Sequence, residues 1–118
     1  VFDEIDAGVG GRAAREIGRR LARLARRHQV VVVTHLAQVA AWAHTQLVVI
    51  KETPRTTASD CAASDAAAQT ARTRVVRVAG AERVTELARM LSGHENSRAA
   101  LRHATELLDE ARVAQSPT

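Results

Sequence analysis

Asp3, Glu4 and Asp6 come after the apolar pair Val1-Phe2 and run into a glycine-rich turn, Ala7-Gly8-Val9-Gly10-Gly11. In open α/β sheets, ligands bind outside the carboxyl ends of the parallel strands. An Asp-Glu pair placed where a hydrophobic strand stops therefore points into such a crevice, and its two acids can divide the work. A first acid suits Mg²⁺, which takes oxygen ligands and keeps several of its waters. A second, one residue on, can orient and polarise a water for attack on a phosphate. Asp6 sits in the next loop, where Gly8, Gly10 and Gly11 let the backbone turn tightly or approach another chain closely. By itself, an Asp-Glu dipeptide reads as an acidic surface turn. It gains weight from the residues at positions 30 to 35.

Val30 to Val33 form a β-branched run without alternation, the pattern of a strand buried on both faces. Between the two strands, Arg12 to His28 carries Ala14, Ile17, Leu21, Leu24 and Ala25 at helical spacing, with Arg15, Arg19, Arg23 and Arg26 around the other side. Glu16 precedes Arg20 by one helical turn as a supporting pair. The three elements make a β-α-β unit with a right-handed crossover and parallel strands. Asp3 and Glu4 then share one sheet edge with Thr34 and His35. A histidine there can donate a hydrogen bond to a phosphate oxygen and stabilise charge. The arginine face reads either as a solvated helix surface or as a phosphate-contacting patch, and spacing does not separate the two.

Further along, Leu36 to Ala43 is a short helix in which Trp42 serves packing, and Leu47 to Ile50 is a strand. Residues 52–72, rich in Ala, Thr, Ser, Asp and Arg, read as a flexible surface loop. Thr73 to Val78 resumes β character, so the two strands are expected to pair as a long-looped hairpin at the sheet's edge. Ala81 to Leu91 is an amphipathic helix with Val84, Leu87, Ala88 and Leu91 inward, closed by Gly93. Asn96 or Ser97 caps a last helix to about Ala111 with a stripe of Ala100, Leu101, Ala104, Leu107 and Leu108. Residues 114–118 read as a frayed tail. His28 and His44 lack acidic neighbours or metal-ligand spacing.

The 118 residues suffice for one modest core. The hydrophobic content of 46% indicates a globular chain, and no apolar run approaches the roughly 18 residues that a membrane span requires. The single cysteine, Cys61, excludes an internal disulfide. The net charge of +4 comes almost wholly from arginine, Lys51 being the only lysine. With Phe2 and Trp42 as the only aromatic residues, single-strand recognition by base stacking is not expected.

VFDEIDAGVGG, succeeded by VVVVTHLAQVAAWA, resembles the C-terminal ATPase lobe of the RecN family, bacterial DNA repair proteins related to the SMC and ABC ATPases. The likeness continues through ERVTELARMLSG at 82–93 and a last helix. It implies an α/β fold: the C-terminal part of an ABC/SMC-type P-loop NTPase head, with a parallel β-α-β core, an edge hairpin and C-terminal helices. Residues 1–113 would form that half-head. By the same resemblance, Asp3 is the Walker B acid that holds Mg²⁺ through a water, and Glu4 is the catalytic base. Asp6 belongs to the D-loop, which reaches across an ATP-sandwich dimer, and His35 is the switch histidine at the γ-phosphate. ATP and Mg²⁺ are the implied cofactors. The implied partners are double-stranded DNA ends and a second head, in a bacterial cytoplasm at the nucleoid. The chain departs from the family at Ala37, where a proline is common, and this affects the start of the helix more than the chemistry.

No G-x-x-x-x-G-K-[ST] occurs, nor an ABC signature or a long heptad segment. In the family these lie upstream. The chain is accordingly expected to be a C-terminal piece that begins inside a strand, holds about half of an ATP site and does not hydrolyse ATP alone. The unpaired strand surface also predicts poor stability in isolation. The competing expectation is a non-enzymatic DNA- or protein-binding module that uses the Arg-rich helix 12–28.

Overall fold

The computed structural model describes residues 1–52, 72–94 and 96–116. Eight elements succeed one another: β1 (Phe2–Asp3), α1 (Gly11–Leu24), β2 (Val32–Val33), α2 (Ala37–Ala40), β3 (Gln46–Glu52), β4 (Arg72–Val78), α3 (Gly80–Ser92) and α4 (Arg98–Gln115). The chain divides into two compact units, residues 1–46 with 78–118 and residues 47–77.

In the first unit, β1 and β2 pair in parallel, with Phe2 opposite Val32 and Asp3 opposite Val33. The Phe2 amide donates to the Val31 carbonyl at 2.8 Å. The expected β-α-β unit is present, but its strands are short. Val31 and Val33 are 49% and 57% exposed, whereas an unalternating valine run predicts burial on both faces. Two paired strands cover only part of such a run.

Helix α1 differs from its apolar pattern in an instructive way. Its most buried positions are Ala14, Gly18 and Ala22, one turn apart, while Leu24 is 41% exposed. The small residues form a groove that admits Trp42, itself 6% exposed. A β-carbon on Gly18 would lie 2.9 Å from Trp42 Cγ and 3.2 Å from the Gln38 carbonyl oxygen. The close approach of indole and helix backbone thus requires glycine there. Trp42 is a packing residue, as its place in the sequence suggested, and it clusters with Ala22 and Ala111.

The main core lies where α2, α3 and α4 meet: Ala37, Ala40, Ala41, Leu87, Ala88, Ala100, Ala104 and Leu107, edged by Val84, Leu91, Leu101 and Leu108. Both C-terminal helices bury the stripes their periodicity implies. Gly93 ends α3 in the left-handed conformation, φ 74°, its amide donating to the Arg89 carbonyl at 2.7 Å. Ser97 caps α4, accepting from the Ala100 amide at 3.4 Å. The helix runs to Gln115, four residues beyond its expected end, and Gln115 Nε2 donates to the Trp42 carbonyl at 3.1 Å. Residues 114 and 115 are therefore helical rather than frayed.

Arg83 joins α3 to the end of α2. Its Nη2 donates to the carbonyls of Ala40, Ala41 and Ala43 at 3.1, 3.2 and 2.7 Å, and its Nε to Gln46 Oε1 at 3.1 Å. A four-residue helix leaves its last carbonyls unpaired, and a guanidinium has enough donors to satisfy several at once. Burial, and secondarily the nearby Arg112, hold the Arg83 pKa below its ordinary value.

β3 and β4 pair with each other in a separate two-stranded sheet and do not extend the β1–β2 sheet. The expected hairpin pairing is present, but its place at the edge of the parallel sheet is corrected. Of the expected loop 52–72, residues 53–71 lie outside the described residues, and with them Cys61. Among the described residues, no helix is long and apolar enough to cross a membrane.

Candidate functional site

The parallel register decides which side chains meet. With Asp3 beside Val33, the next residues on the two strands, Glu4 and Thr34, leave the sheet at the same edge. Asp3, Glu4 and His35 are exposed there, and Asp6 turns inward to 3% exposure.

Asp6 is the structural hinge of this edge. Its Oδ2 accepts a hydrogen bond from the Thr34 hydroxyl, across 28 residues of chain. The Thr34 oxygen in turn accepts the Leu36 amide at 3.0 Å. One hydroxyl therefore ties the loop after β1 to the end of β2 and to the residue that opens α2. His35 Nδ1 lies 3.9 Å from the same Asp6 oxygen, with the imidazole 80% exposed. That separation is too long for a hydrogen bond but close enough for a charge contact when the ring is protonated.

The Asp6 carboxyl has a pKa below its ordinary value. Burial works to raise it. The Thr34 hydrogen bond, the backbone amides of Asp6 and His35 and the charge of His35 together outweigh that burial. Asp6 is consequently an ionised, inward-facing anchor, while the outward-facing acids are Asp3 and Glu4.

Glu4 has a φ of 52°, and among the described residues it is the one non-glycine in the left-handed region. Such a conformation costs a residue with a β-carbon on the order of 1–3 kcal/mol. The turn after it keeps it there, with the Ala7 amide on the Glu4 carbonyl at 3.3 Å and the Val9 amide on the Asp6 carbonyl at 3.1 Å. Gly8 and Gly11 also take positive φ, 73° and 37°. The backbone thus reverses immediately after β1, with Glu4 exposed at the start of the turn.

The described residues contain no group of three or more His, Cys, Asp or Glu side chains able to cage a metal. A Mg²⁺ ion that is held by one carboxylate together with phosphate oxygens and waters is compatible with the exposed carboxylate of Asp3. All four residues singled out from sequence, Asp3, Glu4, Asp6 and His35, fall at one edge. Sequence reasoning missed the Asp6–Thr34 link and the clamp of Arg83 on α2. Thr34 is recognisable as a polar strand-end residue, but its pairing requires knowing which way Asp6 turns. Arg83 left no local signal, since its partners lie about 40 positions away.

No family model matches the chain. Individual relatives do. The chain is 55% identical over 116 residues to the DNA repair protein RecN of Mycobacterium leprae, 54% over 113 residues to RecN of Streptomyces coelicolor, and 48% over 110 residues to RecN of Deinococcus radiodurans. These alignments take in 98%, 96% and 92% of this chain but only 17%, 18% and 17% of the respective relatives. Along nearly its whole length the chain is therefore homologous to RecN, and it spans about a sixth of those proteins.

Proposed function

We propose that this RecN-related chain supplies the acidic strand end and the histidine of an ATPase site in an SMC-like protein of DNA double-strand break repair and recombination. The observation that carries the reading is the parallel pairing of β1 with β2, which brings Asp3, Glu4 and His35 to one edge. The names of the relatives support the repair context.

ATP and Mg²⁺ would supply the phosphoanhydride and the charge that neutralises it, and Asp3 is the residue that would hold the ion. Glu4 orients the attacking water and takes up its proton, work for an exposed carboxylate. Its left-handed backbone is the kind of strain that persists where surrounding structure over-determines a functional residue. His35 would donate to the terminal phosphate. Because its Nδ1 is turned toward ionised Asp6, the imidazolium form places one N–H toward the carboxylate and leaves the Nε2–H to donate outward. Asp6 and Thr34 position this donor from within the chain, and the loop that Asp6 anchors is the segment offered to a second head in a dimer. The phosphate-cradling loop and the signature segment come from other parts of the protein.

The test is ATP binding and steady-state turnover by the full-length protein, comparing wild type with Glu4→Gln. The variant is expected to keep ATP binding and to lose turnover by about 10²- to 10⁴-fold, as for loss of a general base. Unchanged turnover would make the acidic edge structural.

A further inference from the structure

The net charge of this chain is concentrated in one helix. Residues 11–28 hold seven arginines and one glutamate, a balance of +6, while the remaining residues hold ten basic and twelve acidic side chains, a balance of −2. Within that segment, Arg12, Arg15, Arg19, Arg23 and Arg26 recur at steps of three and four, so they fall on one stripe of α1 and its terminal turn. The stripe runs alongside the buried side of the helix formed by Ala14, Gly18 and Ala22. At about 1.5 Å per residue it is roughly 20 Å long.

Intramolecular partners account for little of it. Arg15 reaches Glu110 at 3.6 Å, and the off-stripe Arg20 reaches Glu16 at 3.0 Å. For Arg12, Arg19, Arg23 and Arg26 no carboxylate lies within 4.0 Å among the described residues, although the charges of Arg19 and Arg23 act on Glu16, and all four arginines are exposed. Arg19, Arg23 and Arg26 also line a cleft of about 170 Å³ together with Trp42 and Gln115. Solvated arginines that merely cover a helix are normally interspersed with acids. Here like charges are stacked on successive turns, an arrangement that repels itself by a few tenths of a kcal/mol per pair in an isolated helix.

We infer that this stripe is a docking surface for the sugar-phosphate backbone of double-stranded DNA, with Arg19, Arg23 and Arg26 as its centre. Duplex DNA presents a negative charge about every 1.7 Å of its axis, a linear polyanion that matches a rigid linear row of cations. Guanidinium groups bind phosphate oxygens in bidentate fashion. Contacts of this kind fix position without reading bases, so little sequence preference results. The choice of DNA over another polyanion rests on the repair reading above, whereas the stripe itself does not depend on the ATPase assignment.

The experiment measures binding of the full-length protein to a short blunt-ended DNA duplex as a function of salt, between about 50 and 200 mM. The triple variant Arg19→Gln/Arg23→Gln/Arg26→Gln is expected to bind on the order of 10²-fold more weakly at 0.1 M salt. Its slope of log K against log[salt] should fall by about 2 to 3, since each phosphate contact contributes about 0.9. The matching triple Arg→Lys variant keeps the charges and should keep most of the slope. Turnover of ATP without DNA should be unchanged in both, and Glu4→Gln should leave the salt slope intact, so the two readings fail separately. An unchanged slope in the Gln variant overturns the proposal. A salt slope that falls as far in the Lys variant as in the Gln variant also overturns it, because the cations that phosphate contacts require are then still present.

Discussion

The α2–α3–α4 cluster and the β1–β2 edge lie in one compact unit but are held by different means. In the helical cluster, Leu87, Ala88 and Ala104 are fully buried and Leu107 is 2% exposed, so apolar burial supplies the driving force. At the strand edge, Val33 remains 57% exposed and each strand is two residues long. There the joining contact is polar, from Thr34 to a buried, ionised Asp6. The difference teaches where this chain spends its stability. A packed helical layer supports an edge that keeps Asp3 and Glu4 in water and one backbone angle strained, conditions that a close-packed core would forbid.

Breaking the helical side should have the larger effect. Leu107→Ala removes a fully enclosed side chain and is expected to cost about 2–5 kcal/mol, measured by urea or thermal unfolding of the full protein. If the loss is near zero, the α3–α4 interface is not the stabilising layer, and the contrast between the two regions fails. Gly18→Ala comes next. A β-carbon there would press on the indole of Trp42, and overpacking of this kind typically costs about 1–3 kcal/mol. The near-ultraviolet signal of Trp42, the only tryptophan, should shift with it, whereas an unperturbed spectrum would mean the indole moves aside freely.

The smallest effect is expected at the polar edge, and it carries a pH signature. Because the folded pKa of Asp6 is depressed, its ionised form contributes stability above the ordinary aspartate value of 3.8, and that contribution is lost as pH falls below it through the folded value. Asp6→Asn keeps an acceptor for Thr34 but removes the charge. Its unfolding curve should therefore be flatter than wild type on the acid side below about pH 3.8, and amide exchange should quicken at Leu36, which hangs on the Thr34 hydroxyl. An acid limb parallel to that of wild type would show that Asp6 contributes no linkage, leaving the strand edge held by its backbone bonds alone.

What could be read in advance divides along the same line. The stripes of α3 and α4 and the caps at Gly93 and Ser97 arise from local rules of helix periodicity and termination, and they hold in the structure. The strand-end positions of Asp3, Glu4 and His35 were likewise legible, because a polar group after an apolar run marks the strand's end whatever surrounds it. On the α1 face, spacing and packing diverge. Periodicity favours the large residues Ile17, Leu21 and Leu24, yet the tightest packing runs through Ala14, Gly18 and Ala22, since Trp42 fills space that larger side chains would occupy.

The amino-acid sequence by itself determined the element types, the concentration of positive charge on one helix and the acids at one strand end, because propensity, spacing and charge act over a few residues. Tertiary structure alone decided that Asp6 turns inward to Thr34, that Arg83 clamps the carbonyls after α2, and that β3 and β4 form their own sheet. The first two join groups with no local reason to meet, whereas β3 and β4 were expected to pair and only their separation from the β1–β2 sheet was not. In those two, partners are chosen by which buried polar atoms would otherwise go unsatisfied once the helices have packed.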